Sequence, residues 1–172
     1  IDEQHPLAVG VVGSNGGTPE TRAIIDQADL IFFIGCRAGS VTSERCRHPA
    51  KGTTRVIHLD VDAAVPGTNY PADAALVGDA KLGLRMLNEA LAATRRPLDA
   101  ANVEAAKEQK FAKFQALAES NDTPIKPERV VAELTRALDG DAIVVADAGT
   151  PCPYLSAYYP VRGNGRKFIS NR

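Results

Sequence analysis

The sequence predicts an α/β fold in which a parallel sheet is flanked by helices, followed by the beginning of a second α/β domain. Short apolar runs alternate with helical patterns along the chain, as in a series of strand–helix–strand units. The run Leu30–Ile34 is apolar at every position, which indicates a strand covered on both faces. Residues 94–99, TRRPLD, break the pattern, and a second strand–helix series begins after them.

Local signals place the elements of the first half of the chain. Residues 8–12 predict the first strand, and the glycine loop after it leads to Thr18 and Pro19, which are typical of an N-cap and a first helical position. Asp79 is placed to cap a later helix, in which apolar residues recur at steps of three and four. The remaining strands of this half are predicted at 30–34, 56–59 and 75–77.

The second half repeats the alternation of helix and strand. Residues 100–119 predict a charged helix with a narrow apolar stripe, and Pro127 opens a further helix. Residues 142–147 predict a buried strand, 148–153 (AGTPCP) a loop at its carboxyl end, and 167–170 the last strand. Both ends of the chain interrupt the pattern, so we expect a piece of a longer protein.

Composition and charge exclude several classes of protein. The 172 residues are 44% hydrophobic, and 20 basic against 21 acidic residues give a net charge of -1, so no basic patch indicates binding to nucleic acid or to an anionic membrane. The longest apolar run, Leu30–Ile34, is far too short to cross a bilayer. Cys36, Cys46 and Cys152 lack metal-ligand spacing and are typical of thiols in a reducing cytoplasm, where we place the protein.

The histidines do not indicate catalysis. The sequence has no Ser-His-Asp order and no H-E-x-x-H motif. His58 lies within a predicted strand, so we expect a packed strand residue rather than a general base. The sequence therefore predicts neither a catalytic residue nor a metal ligand.

Four short segments of the first half predict a ligand site: GSNGGT, GCRAG, DVD and GDA. Ligands of parallel sheets bind beyond the carboxyl ends of strands, near helix N-termini. Arg37 would supply a charge for a phosphate, and Asp60 would accept hydrogen bonds from ribose hydroxyls. The structural alternative stays open for each segment: the glycines form turns, Arg37 a surface ion pair, Asp60 a turn cap, and Asp79 its helix cap.

Taken together, these segments and GDAIVVADAG at 140–149 resemble the thiamine-diphosphate-dependent enzymes of the acetolactate synthase type. Their order and spacing agree with the family pattern over roughly residues 4–91. The family motifs are H-P at 5–6, the glycine loop at 13–18, A-D-L at 28–30, G-x-R at 35–37, D-x-D at 60–62 and G-D-A at 78–80.

The resemblance implies a division of the chain into parts of two domains. Residues 1–95 are similar to the C-terminal part of a central, nucleotide-binding-like domain. Residues 96–125 form a linker and helix, and 126–172 the truncated start of the thiamine-diphosphate (pyrophosphate-binding) domain.

The resemblance also implies the residues that hold cofactors. The occupant of the central-domain site is left open between FAD, ADP and no ligand, because GCRAGSVTS lacks the acidic pair and second arginine of the acetolactate synthases. The implied central-domain positions are Ser14, Asn15, Gly16, Gly35, Cys36, Arg37, Asp60, Val61, Asp79 and Ala80. The implied positions beside thiamine diphosphate are Gly149, Thr150 and Pro151.

For the parent protein the resemblance implies a lyase or transferase that cleaves or forms a carbon–carbon bond of a 2-oxo acid. Its cofactors would be thiamine diphosphate and Mg²⁺, and it would be a homodimer or homotetramer. We expect the 172-residue chain alone to be inactive, because it lacks the activating glutamate and the G-D-G…N motif for magnesium. Two alternatives stay open: a non-catalytic nucleotide- or FAD-binding α/β module, and a domain like that of an electron-transfer flavoprotein.

Overall fold

The computed structural model describes residues 2–94, 97, 99–161 and 167–170, which group into two compact units. The first unit takes its described residues from Ile1–Ile24 and Ala100–Arg172, and the second unit is Ile25–Asp99. The domain boundaries at 95 and 125 stay a prediction. Residues 95, 96 and 98 of the predicted linker lie outside the described part of the chain.

Along the described chain three strands follow the first helix and three helices come after them, and a 3-10 turn at Ala92–Thr94 follows the second helix. In chain order the helices and strands are α1 (Pro19–Asp26), β1 (Leu30–Ile34), β2 (Arg55–Asp60), β3 (Ala74–Val77), α2 (Ala80–Ala90), α3 (Ala101–Ala118), α4 (Pro127–Ala137), β4 (Val144–Ala146), α5 (Pro151–Tyr158) and β5 (Phe168–Ser170).

The second unit is built on a three-stranded parallel sheet in the order β1-β2-β3. Ile34 pairs with Leu59, and Asp60 pairs with Val77, so the carboxyl ends of all three strands meet at one edge. Gly83 of α2 lies so close to β2 that a Cβ there would stand 2.9 Å from the Cδ2 atom of Leu59. The predicted α/β fold with a parallel sheet and flanking helices is confirmed.

The core of the second unit surrounds Tyr70. Its ring packs with Ala38 and Val56, all three being buried, and its hydroxyl donates a hydrogen bond of 2.8 Å to the carbonyl of Pro49. The expectation that β1 is covered on both faces was wrong, since Leu30 and Ile34 are 42% and 37% exposed. The reason is that residues 35–54, which join β1 to β2, form turns instead of the helix that usually covers such a crossover.

The first strand predicted at 8–12 was also wrong. These residues pair with no other described strand, and Gly10 takes a φ of +91°, which interrupts an extended chain. Ala8, Val9 and Gly10 instead line a cavity beside α3. The glycine loop that follows ends as predicted, because Thr18 and Thr21 exchange side-chain to backbone hydrogen bonds and cap α1.

The first unit packs α3, α4 and α5 beside a short parallel pair of strands, β4 and β5. Its buried core contains Val131, Leu155 and Tyr159, and Phe114 of α3 stacks on Tyr158 with ring centroids 4.6 Å apart. The sequence assigned 148–153 to a loop, whereas the structure begins α5 within it. β4, α5 and β5 therefore form a strand–helix–strand unit.

Candidate functional site

The carboxyl edge of the three-stranded sheet brings together three of the segments singled out in the sequence. The N–H of Gly35 donates to the carbonyl of Leu59 at 2.8 Å, which ties the loop after β1 to β2. The N–H of Gly78 donates to the carbonyl of Asp60 at 2.9 Å, which ties the start of α2 to the same strand. The seven residues that share this edge are Gly35, Cys36, Arg37, Asp60, Val61, Asp79 and Ala80.

Two side chains hold the loop after β1 by hydrogen bonds to its backbone carbonyls. The buried imidazole of His58 donates from Nε2 to the carbonyl of Cys36 at 2.8 Å, and the Asn69 amide donates to the carbonyl of Arg37 at 2.8 Å. Gly35 adopts a φ of +56° and has open space where a Cβ would stand, so its backbone is accessible to a ligand.

The guanidinium of the GCRAG segment belongs to Arg37, which is exposed. It makes no ion pair with any residue that the structure describes. An arginine held by its backbone with a free guanidinium suits bidentate binding of a phosphate. The sequence alternative of a surface ion pair for Arg37 finds no support within this part of the chain.

The two acids at the edge are engaged locally. Asp60 accepts the N–H of Asp62 at 3.0 Å through Oδ1, while Val61 between them is 76% exposed. Asp79 accepts the N–H of Leu82 at 2.9 Å and caps α2, as the sequence predicted. The second carboxylate oxygen of Asp60 makes no hydrogen bond with a described residue, whereas Asp79 mainly stabilises the helix end beside it.

The glycine loop of Ser14, Asn15 and Gly16 belongs to the first unit. Gly16 has a φ of +140°, and a Cβ there would stand 2.7 Å from the Cβ of Ser156 on α5. That face of the loop is therefore used for packing on a helix, while the Ser14 side is exposed. The ligand role of these three residues stays a prediction.

Gly149 and Thr150 lie between β4 and α5 and Pro151 begins α5, at the carboxyl end of a parallel strand. Gly149 has a φ of +116°, and no atom lies within 4 Å of the position that a Cβ would take, so this face of the backbone is open. Thr150 precedes α5 without a side-chain capping bond, and Pro151 is its first residue. A cavity of about 280 Å³ beside Thr150 and Pro151 is otherwise walled by α4 and α5 and by Ile125.

His58 is the functional candidate whose role sequence reasoning missed. It is 1% exposed, which fits the expected packed strand residue. Nε2 donates to a carbonyl, and Nδ1 is buried without a hydrogen-bond partner among the described residues. His58 on β2 pairs with Phe33 on β1, and this register brings the imidazole within hydrogen-bond distance of the loop after β1. A single sequence does not indicate the register of two strands.

Two kinds of feature are absent among the described residues: a cluster of metal ligands and a membrane-spanning helix. No group of three or more of their His, Cys, Asp or Glu side chains is arranged to hold a metal ion. None of their helices is long and apolar enough to cross a membrane.

A parallel sheet with glycine-bearing and acidic loops at the carboxyl edge of its strands is typical of a Rossmann-like α/β domain. Residues 1–87 match the family model described as "Thiamine pyrophosphate enzyme, central domain". Since this match covers more than half of the 172 residues, the chain belongs to that family. The resemblance to enzymes dependent on thiamine diphosphate, which is the same compound as thiamine pyrophosphate, is confirmed.

Similar curated proteins extend the match beyond the central domain. A probable acetolactate synthase large subunit of Methanococcus aeolicus is 29% identical over 99% of this chain and 30% of its own length. Another from Methanocaldococcus jannaschii is 31% identical over 93% of the chain and 28% of its length. Acetolactate synthase isozyme 3 large subunit of Escherichia coli is 30% identical over 91% of this chain and 27% of its own length. The chain thus spans less than a third of the length of these relatives.

Proposed function

We propose that this chain is part of a thiamine-pyrophosphate-dependent enzyme that acts on 2-oxo acids. The reaction would be cleavage of a carbon–carbon bond or carboligation, as in an acetolactate synthase. The observation that carries the proposal is that proteins named as acetolactate synthase large subunits align with 91–99% of this chain. The alignment runs through both units, so it includes the strand–helix–strand unit as well as the central-domain family match.

The first unit would contribute the loop that faces thiamine pyrophosphate. The open face of Gly149 supports this role, because a Cβ would fill the space that a ligand needs for close approach to the backbone. Thr150 and Pro151 would fix that loop at the start of α5. When bound, thiamine pyrophosphate supplies an electron sink for the carbanion formed beside the carbonyl, and Mg²⁺ accompanies its diphosphate.

The second unit would offer a nucleotide-type site at the carboxyl edge of its sheet, and its occupant would be FAD, ADP or no ligand. Arg37 would pair with a phosphate, and the backbone of Gly35 would approach the ligand. Asp60 would accept hydrogen bonds from ribose hydroxyls with its free oxygen. The remaining predicted positions of this unit are Cys36, Val61, Asp79 and Ala80. Ser14, Asn15 and Gly16 are predicted ligand residues of the first unit.

We further propose the arrangement of the whole protein from the resemblance. Residues 1–95 would be the later part of the central domain, 96–125 the linker and helix, and 126–172 the start of the pyrophosphate-binding domain. The protein would be a cytoplasmic homodimer or homotetramer that binds neither nucleic acid nor membranes.

The experiment that tests this function measures consumption of pyruvate and of 2-oxobutanoate by the protein that carries residues 1–172. We expect turnover that requires both thiamine pyrophosphate and Mg²⁺ and that stops when either is removed. Bound FAD or ADP without any such turnover would overturn the proposal in favour of a non-catalytic nucleotide-binding module. A flavin that is reduced during turnover without thiamine pyrophosphate would favour an electron-transfer flavoprotein.

The 172-residue chain alone provides a second test of the same proposal. Thiamine pyrophosphate with Mg²⁺ should leave its melting temperature unchanged, because a ligand raises that temperature only when it binds the folded state. A rise of several degrees would show that the chain binds the cofactor without further segments.

A further inference from the structure

A cavity of about 250 Å³ lies within the first unit, beside α3, and none of the candidate cofactor residues lines it. Its wall includes Lys110, a lysine that is only 4% exposed. The Lys110 Nζ atom lies 5.4 Å from the ring centre of Phe111 and 5.7 Å from that of Tyr158, two further wall residues. A buried ammonium thus stands among the side chains that line the cavity.

Among the described residues, Lys110 has no hydrogen-bond acceptor for its ammonium group. It forms no hydrogen bond and no ion pair with the residues that the structure describes, and its polar contacts are the two aromatic rings. An ammonium on an almost wholly buried side chain that contacts aromatic rings but no anion is costly, and buried lysines are normally paired. An anion in the cavity would remove that cost.

The charged groups near Lys110 are already engaged elsewhere. Glu3 accepts the N–H of Val161 at 3.1 Å, and Glu20 accepts a hydrogen bond from Lys113. Lys107 donates to the carbonyl of Glu3 at 3.3 Å. Burial lowers the pKa of Lys110 and the charge of Lys107 lowers it further, whereas the carboxylates of Glu3 and Glu20 raise it.

The rest of the wall determines what kind of anion fits. Val9, Phe111 and Pro160 are apolar wall residues, and the charged ones are Glu3, Lys107 and Lys110, so the wall carries a net charge of about +1 at neutral pH. The volume is slightly below the roughly 300 Å³ at which pockets for drug-sized ligands begin. A small monoanion with an alkyl part matches both the charge and the apolar surface.

We propose that this cavity binds a small aliphatic carboxylate, whose anionic group pairs with Lys110 while its alkyl chain contacts Val9 and Phe111. The site is separate from the cofactor positions, so the inference stands whether or not the proposed function holds.

Titration calorimetry on the 172-residue chain with isobutyrate tests the site, and isobutyramide serves as the uncharged ligand of the same shape. We expect saturable binding of isobutyrate and at least about tenfold weaker binding of isobutyramide, since a hydrogen bond to a charged group contributes about 1.5–3 kcal/mol. Equal affinities, or no binding of isobutyrate, would overturn the proposal.

Three variants locate the binding. Lys110→Met removes the charge at similar length, and replacing a buried charge by an apolar group often leaves a protein folded. Ala157→Leu fills the cavity without changing charge, since Ala157 lines it. Both should weaken isobutyrate binding by about tenfold or more, while Lys81→Met, in the second unit, should leave it unchanged. Unchanged binding by Lys110→Met and Ala157→Leu would place the ligand elsewhere and overturn the site.

Discussion

The Nε2 atom of His58 donates a hydrogen bond of 2.8 Å to the carbonyl oxygen of Cys36. A side chain in the buried face of β2 thereby fixes the backbone of the loop that carries Arg37. Phe33 packs against the same imidazole with ring centres 5.5 Å apart, which holds the ring in place. The position of the candidate phosphate-binding residue therefore depends on the core of the sheet.

Replacing His58 tests this dependence. His58→Leu keeps an apolar side chain of similar size but leaves the Cys36 carbonyl without its donor, so we expect a loss of about 1–2 kcal/mol in the free energy of unfolding. ADP or FAD binding should weaken with it, because the loop is no longer held. Urea denaturation and calorimetry measure the two effects. His5→Leu, an exposed histidine in the first unit, is the control; equal losses in both variants would refute a specific role for His58.

The guanidinium of Arg37 is the candidate contact for a phosphate. Arg37→Ala should weaken ADP or FAD binding by about tenfold or more, since charge-assisted hydrogen bonds contribute about 1.5–3 kcal/mol. Arg85→Ala on the exposed face of α2 is the matched control and should bind as the wild type does. Calorimetry with ADP and with FAD provides the affinities, and an unchanged value for Arg37→Ala would remove this residue from the site.

Because Gly16 lies so close to α5, adding a single methyl group at this position should strongly destabilise the protein. Gly16→Ala would place a Cβ 2.7 Å from that of Ser156 at a φ of +140°. We expect a loss of about 1–3 kcal/mol, the usual cost of a strained backbone conformation. Gly140→Ala in the same unit meets no atom within 4 Å and should change stability little. Thermal unfolding of the two variants compares them, and similar melting temperatures would contradict the packing of the loop on α5.

An ion pair in the first unit, between the buried carboxylate of Glu20 and the exposed ammonium of Lys113, predicts a dependence of stability on pH. Burial would raise the pKa of Glu20, but hydrogen bonds from Lys113, from its own N–H and from Thr18, together with the charge of Lys113, hold it below its usual value. A lowered carboxyl pKa stabilises the fold above the unfolded pKa of about 4.3, and this contribution is lost as the pH falls through the folded value.

Lys113→Met should therefore reduce the free energy of unfolding by about 1 kcal/mol at pH 7, and by clearly less near pH 3. Denaturant titrations at the two pH values measure the difference. Lys126→Met is the control, because its partner Asp122 is exposed and such pairs stabilise little. If Lys113→Met lowers the free energy of unfolding equally at both pH values, the ionisation of Glu20 does not explain the loss.

The sequence predicted the parts of the fold that are decided by local chemistry. The all-apolar run of β1, the Asp79 cap and the threonine–proline start of α1 each act over a few residues, and the structure has all three. Helix α5 begins with the same threonine–proline pair, at Thr150 and Pro151, and this signal was overlooked.

What the sequence could not provide depends on long-range contacts. Residues 8–12 have the apolar pattern of a strand, but whether they pair is decided by neighbours distant in sequence. The hydrogen bond from His58 to Cys36 joins positions that only the strand register brings together. The Lys110 cavity likewise combines residues near both ends of the described chain, so no local sequence pattern predicts it.

The first unit draws its residues from Ile1–Ile24 and again from Ala100 onward, while the second unit is continuous in sequence. A ribosome therefore completes Ile25–Asp99 before it has made the helices that the opening residues pack against. We expect vectorial synthesis to order the units, with the second acquiring protease resistance first in stalled nascent chains. The contacts of residues 2–24 with α3 should form only once α3 has left the exit tunnel.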